Sequence, residues 1–349
     1  MLSSLQMLRG VAAYFVVVFH TYGFLSLQPE FNLPDFGGGM PGVELFFIMS
    51  GFIMIHTVRP GETPLQFFAK RLFRIAPIYW VATVAVIIAA LNIDWIFADA
   101  NLAPESILAS LAFIPMQNNF GDYMPILYVG WTLNYEMLFY FVFATGLFLP
   151  RKFLMPFVIL AMTAVWLSAY AFGEGVISAF YGRMIILNFC TGCLLAIVFS
   201  RPGFVQKLSG FGPVFIASLG AFEFFLFLVF PLPPALVGVA TLIILNSVVF
   251  GLLSLDLQGR LKEIRFMNEL GKSSYSAYLL HPFIVPVVGV AVMRFVGTSA
   301  VAILVMFVVT FIATVIVATL SYHIIERPSN MMLRKIFLSR RKDVTPKPL

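Results

Sequence analysis

The chain has 349 residues, of which 60% are hydrophobic and only 11% charged, with a mean hydropathy of +0.96. Soluble domains carry about 25% charged residues, so this composition cannot build a water-exposed surface and lipid must be the main solvent. The net charge of +6 does not mark a nucleic-acid binder, because lysines and arginines cluster between apolar runs and the 39 phenylalanines lie inside those runs.

A bilayer crossing needs about 20 largely apolar residues. Taken in chain order, such runs predict spans over 8–26, 41–58, 75–93, 127–149, 153–172, 179–199, 212–231, 233–254, 274–293 and 299–322, about ten in all. The first run lacks a small-residue cleavage site and begins with Arg9, which argues against a removable signal peptide. With the N-terminus inside, almost every basic residue between spans falls on the cytoplasmic side, from Arg59 and Lys70 to Arg334, and only Arg183 and Arg294 fall outside. The predicted fold class is therefore all-α: a polytopic membrane helix bundle with both termini cytoplasmic. The transmembrane domain covers 1–330, and 331–349 is a basic cytoplasmic tail suited to tethering anionic lipid.

The predicted outer loops are acidic, with Glu30, Asp35, Asp94, Asp99, Glu105, Asp122 and Glu174. The longest, 94–126, is rich in Asn, Pro and Asp, and reads either as a site for a hydroxyl-rich ligand or as an ordinary connector.

Polar residues inside spans carry the functional signal, because a charge near the bilayer centre costs at least ~2.5–3.5 kcal/mol on insertion scales. Arg9 and His20 are eleven residues apart, which returns to one helix face about 16 Å higher. The second span, "GGGMPGVELFFIMSGF", carries Glu44 and Ser50, and the fourth, "GWTLNYEMLFYF", carries Trp131, Asn134 and Glu136. In "AKRLFRIAPIYW", Arg71 and Arg74 are three apart and share a helix face, a spacing that can grip a phosphate ester. His281 lies in the ninth span, and Glu223 sits in "AFEFFLF" without an evident role. Blander readings apply elsewhere: Tyr275, Tyr278 and Tyr322 belong to an aromatic belt, His56 is interfacial, and His323 with Glu326 forms a helix-terminal pair. Cys190 and Cys193 are small residues packed between helices, and the four histidines are not grouped at metal-ligand spacing, so no metal site is expected.

The Arg9–His20 pair, "GVELFFIMSGF", "RLFRIAP", "WTLNYEMLFY", "SAYLLHPFI" and "IERP" together resemble the acyltransferase-3 family of integral membrane acyltransferases over essentially the whole chain. "LQMLRGVAAYFVVVFH" and "WTLNYEMLFYF" look most like the branch that O-acetylates bacterial exopolysaccharides. The resemblance implies transfer of an acetyl group from acetyl-CoA, used as a substrate with no bound cofactor, to a hydroxyl of a surface glycan or its lipid-linked precursor at the bacterial inner membrane. Carried over, His20 is the catalytic base, Arg9 its companion and Glu136 part of the catalytic set. Arg71 and Arg74 hold the donor's phosphates, while Glu44, Ser50, Trp131, Asn134 and His281 are expected to line the substrate site. Asn134 and Tyr135 replace small residues found in many relatives, which limits how far acceptor specificity can be borrowed.

The competing reading is a transporter or flippase for a glycan or lipid intermediate, since buried ionisable residues also mark transport paths. Against it, the two halves of the chain show no duplication.

Overall fold

In a computed structural model, the described residues are 2–34, 41–59, 61–93, 96–201, 203–207, 212–229 and 234–338, and every regular element among them is helical. Asp35, Asp94, the side chain of Glu223 and tail residues 339–349 lie outside the described residues. The first helices are α1 (Ser3–Ser26), α2 (Pro41–Thr57) and α3 (Pro64–Asn92). A short α4 (Pro104–Leu111) precedes α5 (Trp131–Gly146), α6 (Arg151–Phe172), α7 (Gly175–Tyr181) and α8 (Leu187–Phe199). Then come α9 (Phe204–Lys207), α10 (Gly212–Val229), α11 (Pro234–Leu257), α12 (Arg265–Lys272), α13 (Ser274–Phe295), α14 (Ala300–Ser321) and α15 (Arg327–Leu338).

Among the described residues, six helices are long and apolar enough to cross a membrane, or seven if α7 and the segment through α8, bent by 56°, form one broken span. The sequence reading of about ten counts α2 and α5 as full spans. At about 1.5 Å per residue, their 17 and 16 residues fall short of a hydrocarbon core about 30 Å thick.

Local chemistry sets the helix starts. Thr63 caps α3, its hydroxyl accepting from Gln66 N at 3.3 Å while Gln66 Oε1 accepts from Thr63 N at 3.2 Å, with proline at the first helical position. Asp256, at the end of α11, accepts from both Ser4 N and Ser4 Oγ at 2.8 Å and so holds the first turn of α1.

Close helix contact sets the core. A Cβ at Gly51 would run into the Phe189 carbonyl and one at Gly192 into that of Ile48, so α2 and α8 touch backbone to backbone. Buried Cys193 donates weakly to Gly51 O at 3.6 Å, in keeping with a packing role. Beside this crossing, Phe47, Phe189 and Phe139 stack in series at centroid distances of 4.3 and 4.4 Å. With Phe189 on α8, that ladder ties α5 to α2 through α8.

The segment 96–126 is packed against the helices. Tyr79 bonds the Ser110 hydroxyl at 3.0 Å, Trp80 donates to Leu111 O at 3.0 Å, and the Phe97 ring meets Phe283 at 5.1 Å. Phe97 and Phe113 hold positive φ, an uncommon conformation for bulky residues that surrounding contacts must sustain. Burial pushes the Asp99 carboxyl above its ordinary range, offset in part by the Asn118 side chain.

Candidate active site

Two cavities occupy one end and the middle of the bundle. A vestibule of about 950 Å³ lies where α1 begins, α2 ends, α3 begins and α14 runs into α15. Seven cations line it (Arg9, Arg59, Lys70, Arg71, Arg74, Lys272 and Arg327) against the two carboxylates of Glu62 and Glu326. Arg9, Ile53 and Arg74 also line a narrower inner pocket of about 60 Å³, so the two chambers share a wall. The inner pocket contains Ser50, Thr132, Glu136, Tyr140, Tyr275 and Tyr278 among apolar side chains of α2, α3 and α5.

The hydroxyls of the inner pocket and the Glu136 carboxylate are bonded to neighbours from another turn or helix. Ser50 Oγ donates to Glu136 Oε1 at 3.3 Å, and the Tyr140 hydroxyl donates to the same oxygen. Tyr140 is four residues after Glu136, so one face of α5 presents both. Tyr275 donates to Ile75 O at 2.8 Å, and Tyr278 donates to Val129 O at 2.7 Å with its hydroxyl 2.8 Å from Thr132 Oγ1. Arg71 donates to Thr57 Oγ1 with its guanidinium over the rings of Phe67 and Tyr140, 5.3 and 5.9 Å from their centroids. At the vestibule rim, Lys70 and Glu62 form an ion pair at 2.7 Å.

Glu326 reaches the vestibule through a π-turn over Tyr322–Glu326 that joins α14 to α15. Such a turn inserts one extra residue and rotates the next stretch of helix about its axis. The Glu326 carboxylate accepts from Ser276 Oγ at 2.8 Å, while the His323 ring rests on Tyr322 at 5.2 Å. The expected His323–Glu326 pair is thereby corrected: the two residues have separate partners.

Beyond the inner pocket lies a layer of two histidines. Tyr278 lines the pocket, and its ring centroid is 6.0 Å from that of His281. His281 on α13 is fully buried, and its Nε2 lies 3.2 Å from Nδ1 of half-buried His20 on α1. The same His20 Nδ1 is 2.9 Å from Val16 O, and His281 Nδ1 is 3.2 Å from Ala277 O. A carbonyl only accepts, so both Nδ1 atoms carry hydrogen in the neutral rings. His281 Nε2 is then a bare acceptor facing His20, and His20 Nε2 keeps a free lone pair.

The structure thus gathers Arg9, Arg74, Ser50 and Glu136 in one pocket, puts Arg71 in the adjoining vestibule, and pairs His20 with His281. It leaves other expected site residues apart. Glu44, Trp131 and Asn134 line neither cavity, and neither do His20 and His281, which the inner pocket approaches through Tyr278. Trp131 packs edge-on against Tyr135 at 5.9 Å. Glu44 Oε2 and both amide atoms of Asn134 are buried without a hydrogen-bond partner among the described residues. Sequence reasoning overlooks Thr132, Tyr140 and Glu326 as site residues, and assigns Tyr275 and Tyr278 to an aromatic belt. Both tyrosines are instead pocket residues. Their spacing is the available signal, since Tyr140 comes one helical turn after Glu136 and Tyr278 precedes His281 by three residues.

The described apolar helices thus enclose a cation-lined chamber with an imidazole pair behind it. A family model described as an acyltransferase domain matches residues 2–323, and the chain belongs to the acyltransferase-3 family. It is a multi-pass membrane protein and an acyltransferase. The exopolysaccharide production protein ExoZ of Rhizobium meliloti (strain 1021) is 36% identical over 298 residues, covering 83% of this chain and 89% of that protein. ORF330 of Acidianus two-tailed virus, whose name carries the term acetyltransferase, is 26% identical over 202 residues, covering 52% of this chain and 51% of its own length. No solved structure matches the chain.

Proposed function

We propose that this chain is an O-acetyltransferase that moves an acetyl group from acetyl-CoA to a hydroxyl of an exopolysaccharide, another surface glycan or its lipid-linked precursor. One observation carries the reading: a cation-lined vestibule narrows through Arg9 and Arg74 into a pocket that ends at Tyr278, directly before the His281–His20 pair. Acetyl-CoA has a polyanionic nucleotide end and a long thin arm, which suits a wide basic chamber leading to a narrow one. The similarity to an exopolysaccharide production protein supports a glycan acceptor.

In this reading Arg71, Arg74 and Arg9 bind the phosphates, and His20 Nε2 takes the proton from the acceptor hydroxyl as its oxygen attacks the thioester carbonyl. The carbon–sulfur bond then breaks, and the departing thiolate receives the proton from Nε2, leaving ester and free CoA. Glu136, fixed by Ser50 and Tyr140, balances the cations at the pocket wall. The proposal includes a bacterial inner-membrane location with both termini and the vestibule on the cytoplasmic side, and about ten crossings, α2 and α5 crossing with the help of flanking residues such as the turn over Tyr128–Gly130 and α10 completing the count. The basic loop residues support that orientation.

The test is O-acetyl content of exopolysaccharide from cells carrying wild-type, deleted and His20→Ala genes, with membrane levels of the protein measured in parallel. Loss of acetyl in both mutants is expected. Unchanged acetylation with His20→Ala overturns His20 as the base, and unchanged acetylation in the deletion overturns the acceptor.

A further inference from the structure

We infer that His281 is a positioning residue for His20: its bare Nε2 receives the His20 Nδ1–H and holds the other ring nitrogen free toward the reacting hydroxyl. The inference rests on the reading of His20 as the base and extends it to a residue expected to touch substrate. His281 is 0% exposed whereas His20 is half-buried, so of the two rings His20 is the one open to substrate and His281 stands behind it.

Three features of the geometry point the same way. His281 Nδ1 is committed to Ala277 O at 3.2 Å, which leaves Nε2 without hydrogen and makes it an acceptor. That acceptor sits 3.2 Å from His20 Nδ1, whose hydrogen is shared with Val16 O at 2.9 Å. Two acceptors on one side of the imidazole keep the hydrogen there, and a base needs its lone pair on the other side. The His281 ring is itself braced by Tyr278, which is tied to Val129 O and Thr132.

The arrangement also suits the charged step. When His20 Nε2 takes the acceptor's proton, the ring becomes an imidazolium in a low-dielectric layer. Its Nδ1–H already faces the His281 lone pair and the Val16 carbonyl, so the new charge meets two oriented acceptors. The Nδ1 proton stays on His20 throughout, and the proton gained on Nε2 leaves with the CoA thiolate. His281 here does for His20 what a buried carboxylate does for the histidine of a hydrolytic triad, without adding a negative charge to the membrane interior.

The experiment uses purified full-length protein, acetyl-CoA, and mildly de-O-acetylated exopolysaccharide from the source cells as acceptor, with CoA release as the readout. His281→Gln puts an amide oxygen about where Nε2 stands, whereas the shorter His281→Asn cannot reach. His281→Asn should lower kcat by about 10²-fold with the acetyl-CoA KM within about twofold, and His281→Gln should recover about tenfold or more of that loss. Equal kcat for the Gln and Asn variants overturns the inference, as does an acetyl-CoA KM that rises in step with the loss of kcat. Unfolding midpoints of both variants report on folding. His20→Ala is assayed alongside: if it keeps full activity, the reading of His20 fails, whereas an inactive His20→Ala with a fully active His281→Asn removes only the role of His281.

Discussion

The cationic chambers and the histidine layer are both reached from one helix, α1, yet they are built on opposite terms. In the chambers, charge is plentiful and shared: Glu62 and Glu326 answer the seven cations of the vestibule, and Glu136 shares the inner pocket with Arg9 and Arg74. In the histidine layer the pairing is between two neutral rings, with one contact between them and backbone carbonyls on either side. A redundant set of long charged side chains degrades gradually when one member is lost. A single oriented pair has no such reserve, so substitution in the histidine layer is expected to be the less forgiving of the two.

That contrast can be broken or sharpened by substitution. The largest effect is expected from His20→Ala, with kcat lower by about 10²–10⁴-fold and membrane insertion intact, measured by CoA release and by protein level in membranes. A smaller loss would move the base elsewhere. Next, Arg71→Ala with Arg74→Ala should raise the acetyl-CoA KM by about tenfold or more, since hydrogen bonds to charged groups contribute roughly 1.5–3 kcal/mol each. In the wild type this binding should weaken with salt, because the vestibule is open to solvent. A donor KM unmoved by the double substitution would detach phosphate binding from this face of α3.

Tyr140→Phe leaves Glu136 with Ser50 as its remaining hydroxyl donor, and a fall in kcat/KM of about tenfold is expected. The smallest effect is expected at Asn134. Both of its amide atoms are buried without partners among the described residues and it lines neither cavity, so Asn134→Leu, of similar volume, should keep activity within about twofold and hold or raise the unfolding midpoint. A large loss of activity in folded Asn134→Leu protein would return that residue to the acceptor site, where its place in the sequence suggests it belongs.

Much of the site is legible in the chain itself. Arg9, His20, Ser50, Arg71, Arg74, Glu136 and His281 all stand out because polar groups in an apolar helix are costly. Six of the expected spans also emerge as helices long and apolar enough to cross a membrane. Trp131, Asn134 and Glu44 are drawn in by the same cost argument, which says that a buried polar group needs a reason without saying which cavity it faces. The tyrosines are misread for the opposite cause: an aromatic ring is at home both at a membrane boundary and in a pocket, so residue type does not place Tyr275 or Tyr278, and only the spacing of Tyr278 from His281 hints at its position.

By itself the sequence determined that the chain is helical, that its helices lie in lipid, and which polar side chains within them call for an explanation. Tertiary structure decided which of them meet. Ser50 finds Glu136 across 86 residues and His20 finds His281 across 261. In a soluble protein, hydrophobic periodicity tells which face of a helix turns inward. In a membrane the outward face is as apolar as the inward one, so helix pairing is settled by close contacts such as Gly51 on Gly192 and by the aromatic stack beside them.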